Sequence, residues 1–317
     1  MSDLVRGIVS GETRAIARTI SLIENGEARK EAVIDGLFAH TGRAAIVGIT
    51  GPPGGGKSTL VDRLIERERR RQRRVAVIAV DPSSPFSGGA LLGDRLRMQS
   101  HATDEGVFIR SMASRGHLGG IAEATGDVIK VLDAAGFDTI FIETIGVGQT
   151  EVEIIELSDL VLLVLVPGMG DEIQAMKAGV MEIGDLFVIN KKDKPGADKL
   201  KAEVEYVLGI KYNGHPEAIN PILMVSALND EGVDELVHAA DDYTATVTSS
   251  GQLEIRRRQR IAREMHKIFS KKVHEVMDVK IEFSKKIDAW VELIYSRTAR
   301  PYELINQEMK SFLKEKS

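Results

Sequence analysis

The stretch GPPGGGKSTL, Gly51 to Leu60, follows the apolar run AAIVGIT and leads into VDRLIERERR. An apolar strand, a glycine-rich turn and a helix in that order make a cradle for phosphate. Successive backbone N–H groups of the turn face inward and the helix N-terminus adds a positive dipole. Gly51, Gly56, Lys57 and Ser58 stand at the spacing of the P-loop pattern. Gly54, Gly55 and Thr59 complete the expected nucleotide contacts. The Lys57 ammonium is expected to reach the β and γ oxygens, and the Ser58 hydroxyl is placed to ligate Mg²⁺.

Outward from this turn, between about 44 and 245, short apolar runs alternate with helical stretches: AAIVGI, VAVIAV, DTIFIE, LVLLVLV, LFVIN and PILMVSA. Runs that are apolar throughout are strands covered on both faces. The expected fold is therefore α/β, a P-loop NTPase with a mainly parallel sheet between helices, over residues 44–247. Before it, Ile16, Ile20 and Ile23 recur at helical spacing and Asn25-Gly26 supplies a stop, predicting a helix over 12–24 within an N-terminal extension, residues 1–43. After TSSG at 248–251 the pattern turns helical. Ile261, Met265 and Ile268 form one stripe, Ile287, Trp290, Val291 and Ile294 a second, and Ile305, Met309 and Phe312 a third, opened by Pro301. Stripes of this size in a short module, residues 248–317, struggle to cover one another, so a homodimer through 252–317 is expected, with Trp290, Ile294 and Phe312 as anchors.

Composition narrows the partners. The chain has 317 residues, 43% of them hydrophobic, enough for one large core and an appendage. A net charge of −5 supplies no basic field, so nucleic acid is not an expected partner. With no cysteine, disulfides, thiolate catalysis and Cys-based metal sites are excluded. The opening MSDLVRGIVSGETR is broken by polar residues before a signal-like core forms, and no segment reaches the roughly 18 apolar residues of a membrane span, so a cytoplasmic protein without a membrane partner is expected.

The base is read further along. LFVINKKD ends a strand in Asn190-Lys191-Lys192-Asp193, where the Asp193 carboxylate can accept from N1–H and the 2-amino group of guanine. Adenine offers neither donor, and a desolvated carboxylate left unpaired costs about 2–4 kcal/mol, enough for a strong preference for GTP and GDP. The Lys191 stem is expected along the base plane and Asn190 is expected to brace the P-loop. The run Ser226-Ala227-Leu228 is expected to bring a backbone N–H to guanine O6. DTIFIE ends in Glu143-Thr144-Ile145-Gly146, with glutamate where an aspartate usually precedes the γ-phosphate glycine. Glu143 can ligate Mg²⁺ through water or position the attacking water, while Gly146 offers its N–H to the γ-phosphate. Asp81, at the end of VAVIAVD, and Asp94, in the GDR triplet, are further carboxylates for the metal. Lys57, Glu143 and Asp94 form the expected catalytic set. With no arginine assignable as a finger in cis, intrinsic hydrolysis is expected to be slow.

Together these residues resemble the MeaB/ArgK/MMAA family of P-loop GTPases. The likeness runs through the P-loop, VDPSSPFSGGALLGDR, MASRGHLGG, ETIGVGQTE, VPGMGDEIQAMKAG, NKKD and the helical tail with its RPY, nearly the whole chain. It implies a GTP-hydrolysing chaperone of an adenosylcobalamin-dependent acyl-CoA mutase, which gates cofactor loading, protects or reactivates the mutase, and is stimulated by it. It also implies that Asp81, Asp94 and Glu143 surround the metal and that Asp171, Gln174 and Lys177 belong to a third, family-specific switch. Gly55 departs from the pattern, since relatives often carry a side chain there, and is expected to loosen the loop slightly. Two other readings stand beside this one: a kinase of an amino-acid transport system, and a nickel-type metallochaperone, which the lack of cysteine disfavours. The arginine run at 67–74 reads as a solvated helix end, IRRRQRIAR at 255–263 similarly, and the scattered histidines as no metal site. Gln149, Arg115 and His117 are weaker candidates near the nucleotide.

Overall fold

The computed structural model describes residues 2–81, 101, 103–113, 120–144, 156–168, 183–211, 221–281 and 283–314. Asp94, Gly146, Asp171, Gln174 and Lys177 lie outside these residues, as do Arg115, His117, Gln149 and the side chain of Asp81.

The apolar runs form strands β1 (Ala45–Thr50), β2 (Val75–Asp81), β3 (Val107–Ala113), β4 (Thr139–Thr144), β5 (Leu160–Leu165), β6 (Leu186–Ile189) and β7 (Ile222–Met224). They join in one 7-stranded sheet in the order β3-β2-β4-β1-β5-β6-β7, and every pairing is parallel. Every residue of β4, β5 and β6 is buried, which is the physical reason these runs do not alternate with polar residues.

Alternation survives in which core each residue joins. Val75 and Val77 of β2 pack with α4 (Lys57–Arg70) and α7 (Val233–Ser249), through Leu60, Leu64, Ile65, Val233 and Leu236. Ala76, Ile78 and Val80 point to the opposite face. There they meet α1 (Asp3–Val9), α2 (Thr13–Glu24), α3 (Lys30–Leu37) and α5 (Gly120–Ala134), through Ile8, Ile16, Ile20, Leu37, Val128 and Leu132. Further along that face α6 (Ala197–Lys211) covers Phe187 and Ile189 with Leu200, Val204 and Leu208. Ile16 and Ile20 are almost wholly buried, each stabilising the α2 contact by roughly 1.5–3 kcal/mol. The helix over 12–24 thus appears as α2, its stripe forming part of the main core. Its neighbour α1 has little local signal, because Gly7 weakens a short helix. Glycine is required there, since a Cβ would come 2.8 Å from that of Ala15 in α2.

The arginine run at the end of α4 departs from the solvated reading in part. Arg67 is 5% exposed and its Nη1 lies 2.8 Å from Asp230, while its Nε donates to Asp234 at 3.0 Å. Arg69 donates to Asp104 at 2.8 Å, Arg73 to Glu68 at 3.1 Å, and Arg74 to the Ala135 carbonyl at 2.6 Å while lying over the Phe137 ring. Arg70 to Arg73 are exposed, as a solvated helix end requires, while Arg67, Arg69 and Arg74 are internal braces to distant segments. Arg256 behaves similarly. Its Nη1 donates to Asp185 at 3.1 Å, Asp185 also accepts from Tyr243 Oη at 2.5 Å and from the Val161 N–H at 2.9 Å, and burial with the Asp185 bond pushes the Tyr243 phenol well up.

Met1–Arg256 is one compact unit and Arg257–Ser317 a second. The second holds α8 (Gln252–Ile281) from Arg257 onward, α9 (Phe283–Tyr295) and α10 (Pro301–Lys314). Lys286 donates to Glu308 at 2.5 Å, tying α9 to α10. Along α8 the apolar Ile261, Met265, Ile268, Phe269 and Val276 are exposed, Phe269 at 69%. No helix among the described residues is long and apolar enough to cross a membrane.

Candidate functional site

Because the strands are all parallel, the carboxyl ends of β1, β4, β6 and β7 reach the same edge of the sheet. β1 lies between β4 and β5, the place where a parallel sheet opens a crevice for ligands.

The turn leaving β1 is held against its floor. Gly51 has φ 141°, and a Cβ there would lie 2.1 Å from the Val164 carbonyl oxygen of β5. Gly56 has φ 80°, and its Cβ would lie 2.5 Å from Asn190 Nδ2. Only glycine fits either place. The Gly55 N–H donates to the Pro52 carbonyl at 3.1 Å, and an added Cβ would sit 2.9 Å from that oxygen. Lys57 is buried, and its ammonium donates to the carbonyls of Gly51 at 2.7 Å and Pro52 at 2.8 Å. The charge is therefore folded over the loop it was expected to serve. Thr59 lies one position beyond Ser58 in the first turn of α4.

Ser58 and Glu143 meet directly. The serine hydroxyl donates to Glu143 Oε1 at 2.6 Å, and both residues are buried. Behind them Thr144 donates to Thr50 at 3.0 Å across the β1–β4 pair. The β2–β4 register sets Ala79 opposite Glu143 and Val80 opposite Thr144, so the backbone of Asp81 ends its strand beside the same edge. An all-oxygen pair of hydroxyl and carboxylate, buried next to a phosphate-type turn, is the donor chemistry that Mg²⁺ takes, and Ser58 with Glu143 fits that ion.

Asn190 joins two loops. Its Nδ2 donates to the Gly55 carbonyl at 2.9 Å, and its Oδ1 accepts from the Ala227 N–H at 3.0 Å. Lys191, at φ 59°, reaches back so that its ammonium donates to the Gly54 carbonyl at 2.8 Å, its stem spanning from the base side to the phosphate turn. Asp193 accepts from the Ser226 hydroxyl at 2.6 Å. That bond, with the charges of Lys194 and Lys191, holds the Asp193 carboxyl below its usual range, so it is ionised and acceptor-only at neutral pH. The Ser226 N–H donates to the Glu231 carbonyl at 2.9 Å. With Ala227 engaged by Asn190, both N–H groups expected to face guanine O6 are used within the protein, and Leu228, exposed at the rim, carries the next one.

Sequence reading missed two contributors. Arg63 Nε donates to the Ala227 carbonyl at 3.2 Å, and Arg67 grips Asp230 and Asp234 just beyond the same loop. The signal available was their i, i+4 spacing on α4, but the partners are more than a hundred residues away.

A glycine turn on a central parallel strand, a buried lysine and serine, and an Asn-Lys-x-Asp segment braced to that turn define the class: an α/β nucleotide-binding protein of the P-loop type. The chain belongs to the family described as Methylmalonyl Co-A mutase-associated GTPase MeaB, which it matches over residues 16–282. It is 46% identical to a Pyrococcus abyssi protein provisionally named a GTPase, over 99% of this chain and 97% of that one. It is 36% identical to the GTPase ArgK of Escherichia coli, over 82% and 80%. Among solved structures, a LAO/AO transport system kinase superposes with a TM-score of 0.73 at 27% identity, covering 98% of this chain and 97% of that one.

Proposed function

We propose that this protein binds and hydrolyses GTP with Mg²⁺ and serves as the nucleotide-driven chaperone of an adenosylcobalamin-dependent acyl-CoA mutase of the methylmalonyl type. The observation that carries the nucleotide part is the linked pair of loops, in which an ionised Asp193 stands beside Ser226 while Asn190 ties that region to the phosphate turn. Lys57, with Gly51 and Gly54 to Thr59, holds the phosphates. Asn190, Lys191, Asp193 and Ser226 to Leu228 hold the base. Ser58 and Glu143 would hold Mg²⁺, with Asp81 at the adjoining strand end and Asp94 from the following segment. When bound, the ion neutralises charge developing on the phosphate oxygens. The Lys57 ammonium, poised on loop carbonyls, exchanges those bonds for phosphate oxygens, which are stronger partners for a cation.

The mutase part rests on the family's description. Asp171, Gln174 and Lys177 are the proposed switch through which that partner senses the nucleotide. The second unit is proposed as the homodimer module, its exposed apolar stripe matched by that of a second copy. A kinase acting on a transport protein is the second reading, favoured by the likeness to the LAO/AO transport system kinase.

The test is phosphate release from GTP during titration with the acyl-CoA mutase of the same genome, beside a radiolabelled assay for transfer to protein. Acceleration with label appearing as inorganic phosphate is expected. Label on a transport protein would establish the kinase instead, and no acceleration by any cobalamin mutase of that genome would overturn the chaperone reading.

A further inference from the structure

We propose that Arg63 and Arg67 of α4 are positioning residues for base recognition, holding the Ser226–Leu228 backbone where it meets the guanine O6 edge. The inference rests on the guanine-nucleotide reading above and adds to it a specificity device built into the helix that follows the phosphate turn.

The segment from Ser226 to Gly232 is a tight turn. Ser226 and Glu231 exchange both backbone hydrogen bonds, at 2.9 and 3.1 Å, in an isolated antiparallel bridge. Asp230 has φ 58°, and Gly232 has φ 76° with room for no Cβ, which would fall 2.3 Å from the Met224 carbonyl oxygen. Asp230, a residue with a Cβ in the sparsely populated left-handed region, is held there more firmly when its side chain is also anchored.

Two arginines supply that hold from one side. They stand four residues apart and so share a face of α4. Arg63 donates to the Ala227 carbonyl at 3.2 Å and is itself steadied by Glu66 Oε1 at 2.9 Å. Arg67 reaches Asp230 at 2.8 Å, while Asp234 accepts from its Nε at 3.0 Å and from its Nη2 at 3.3 Å. Glu66 Oε2 lies 3.5 Å from Arg67 Nη1 as a third carboxylate. A guanidinium 5% exposed amid those carboxylates is a fixed strut, since a fork of donors matched to carboxylates tolerates little rotation. On the far side Asn190 takes the Ala227 N–H, so the Ala227 residue is gripped at its nitrogen by the base segment and at its oxygen by α4. The helix whose first turn carries Lys57 and Ser58 therefore also sets the height of the loop that reads the base edge.

The test measures binding of GTP, of 2-aminopurine riboside triphosphate, which lacks O6 and the N1 proton but keeps the 2-amino group, and of inorganic tripolyphosphate to the full chain and to Arg63→Met, Arg67→Met and Arg67→Lys. Arg63→Met is expected to weaken GTP about five- to ten-fold, the worth of about one well-placed hydrogen bond, and to leave tripolyphosphate within two-fold. The analogue without O6 should lose at most about two-fold, because the contact being misplaced is one it never makes. Arg67→Met should act in the same direction, with Arg67→Lys recovering part of the loss. If Arg67→Met fails to fold, Arg63, which is partly exposed, still decides the matter. Unchanged GTP affinity in Arg63→Met, or equal losses for GTP and the O6-free analogue, overturns the proposal. Equal binding of GTP and ATP by the unaltered protein overturns the guanine reading itself, a separate and recognisable result.

Discussion

The two compact units treat their apolar side chains in opposite ways. In Met1–Arg256 the stripes close on each other: Ile78 and Ile140 of the sheet meet Ile16 and Leu132 of the helices, all with almost no exposure. In Arg257–Ser317 residues of the same kind, Ile261, Met265, Ile268 and Phe269, face outward along α8. A stripe is a statement of what must be covered, and only the first unit supplies its own cover. The second carries its apolar surface as a demand on something else, which a second copy of the chain would meet.

The contrast can be broken most forcefully in the first unit. Phe187 is fully buried between β6 and α6, and Phe187→Ala is expected to cost about 3–5 kcal/mol in denaturant unfolding, whereas Phe269→Ala should cost almost nothing in a dilute monomer. Equal losses would erase the distinction between the units. A change aimed at the second unit comes next in size. Met265→Asp combined with Phe269→Asp is expected to weaken self-association by about 2–4 kcal/mol, read by light scattering as monomer at micromolar concentration, with GTP affinity unaltered. A dimer that persists in this variant shows that the stripe is not the interface. The smallest effect lies at the nucleotide edge of the first unit. The Asp193 carboxyl is held low by the Ser226 hydroxyl, so its stabilising contribution is fully present above the usual carboxylate value and is lost as pH falls through the lower value of the folded protein. Nothing should change between neutrality and about pH 5, and Ser226→Ala should raise the Asp193 titration seen by carboxyl NMR toward the ordinary carboxylate range. An unmoved titration in that variant would detach Ser226 from Asp193.

How much could be read beforehand follows the range of each interaction. The order strand, glycine turn, helix at 45–70 is local, and it appears as β1, the turn and α4. The parallel sheet is legible because burial on both faces leaves a mark on every residue of β4, β5 and β6. Asn190 as a brace was also legible, from the Asn-Lys-x-Asp segment that follows a strand next to the phosphate turn. Arg67 was misread for the converse reason: its local neighbours are arginine and glutamate, and nothing near 67 announces Asp230 or Asp234. The same limit applies to Ala227: nothing in its local sequence shows that its N–H lies 3.0 Å from the Asn190 side chain.

The sheet order has a further consequence during synthesis. β1 pairs with Thr139–Glu143 on one side and Leu160–Leu163 on the other, Gly51 rests on Val164, and Gly56 abuts Asn190. The phosphate turn is thus translated early but has no floor until the chain has grown past Asn190. At about 5–20 residues per second that interval lasts about 7 to 27 seconds, and β1 has no partner strand until Thr139–Glu143 has been made. A chain stopped before Asn190 therefore carries the phosphate motif without the side chain that braces its turn to the later segment.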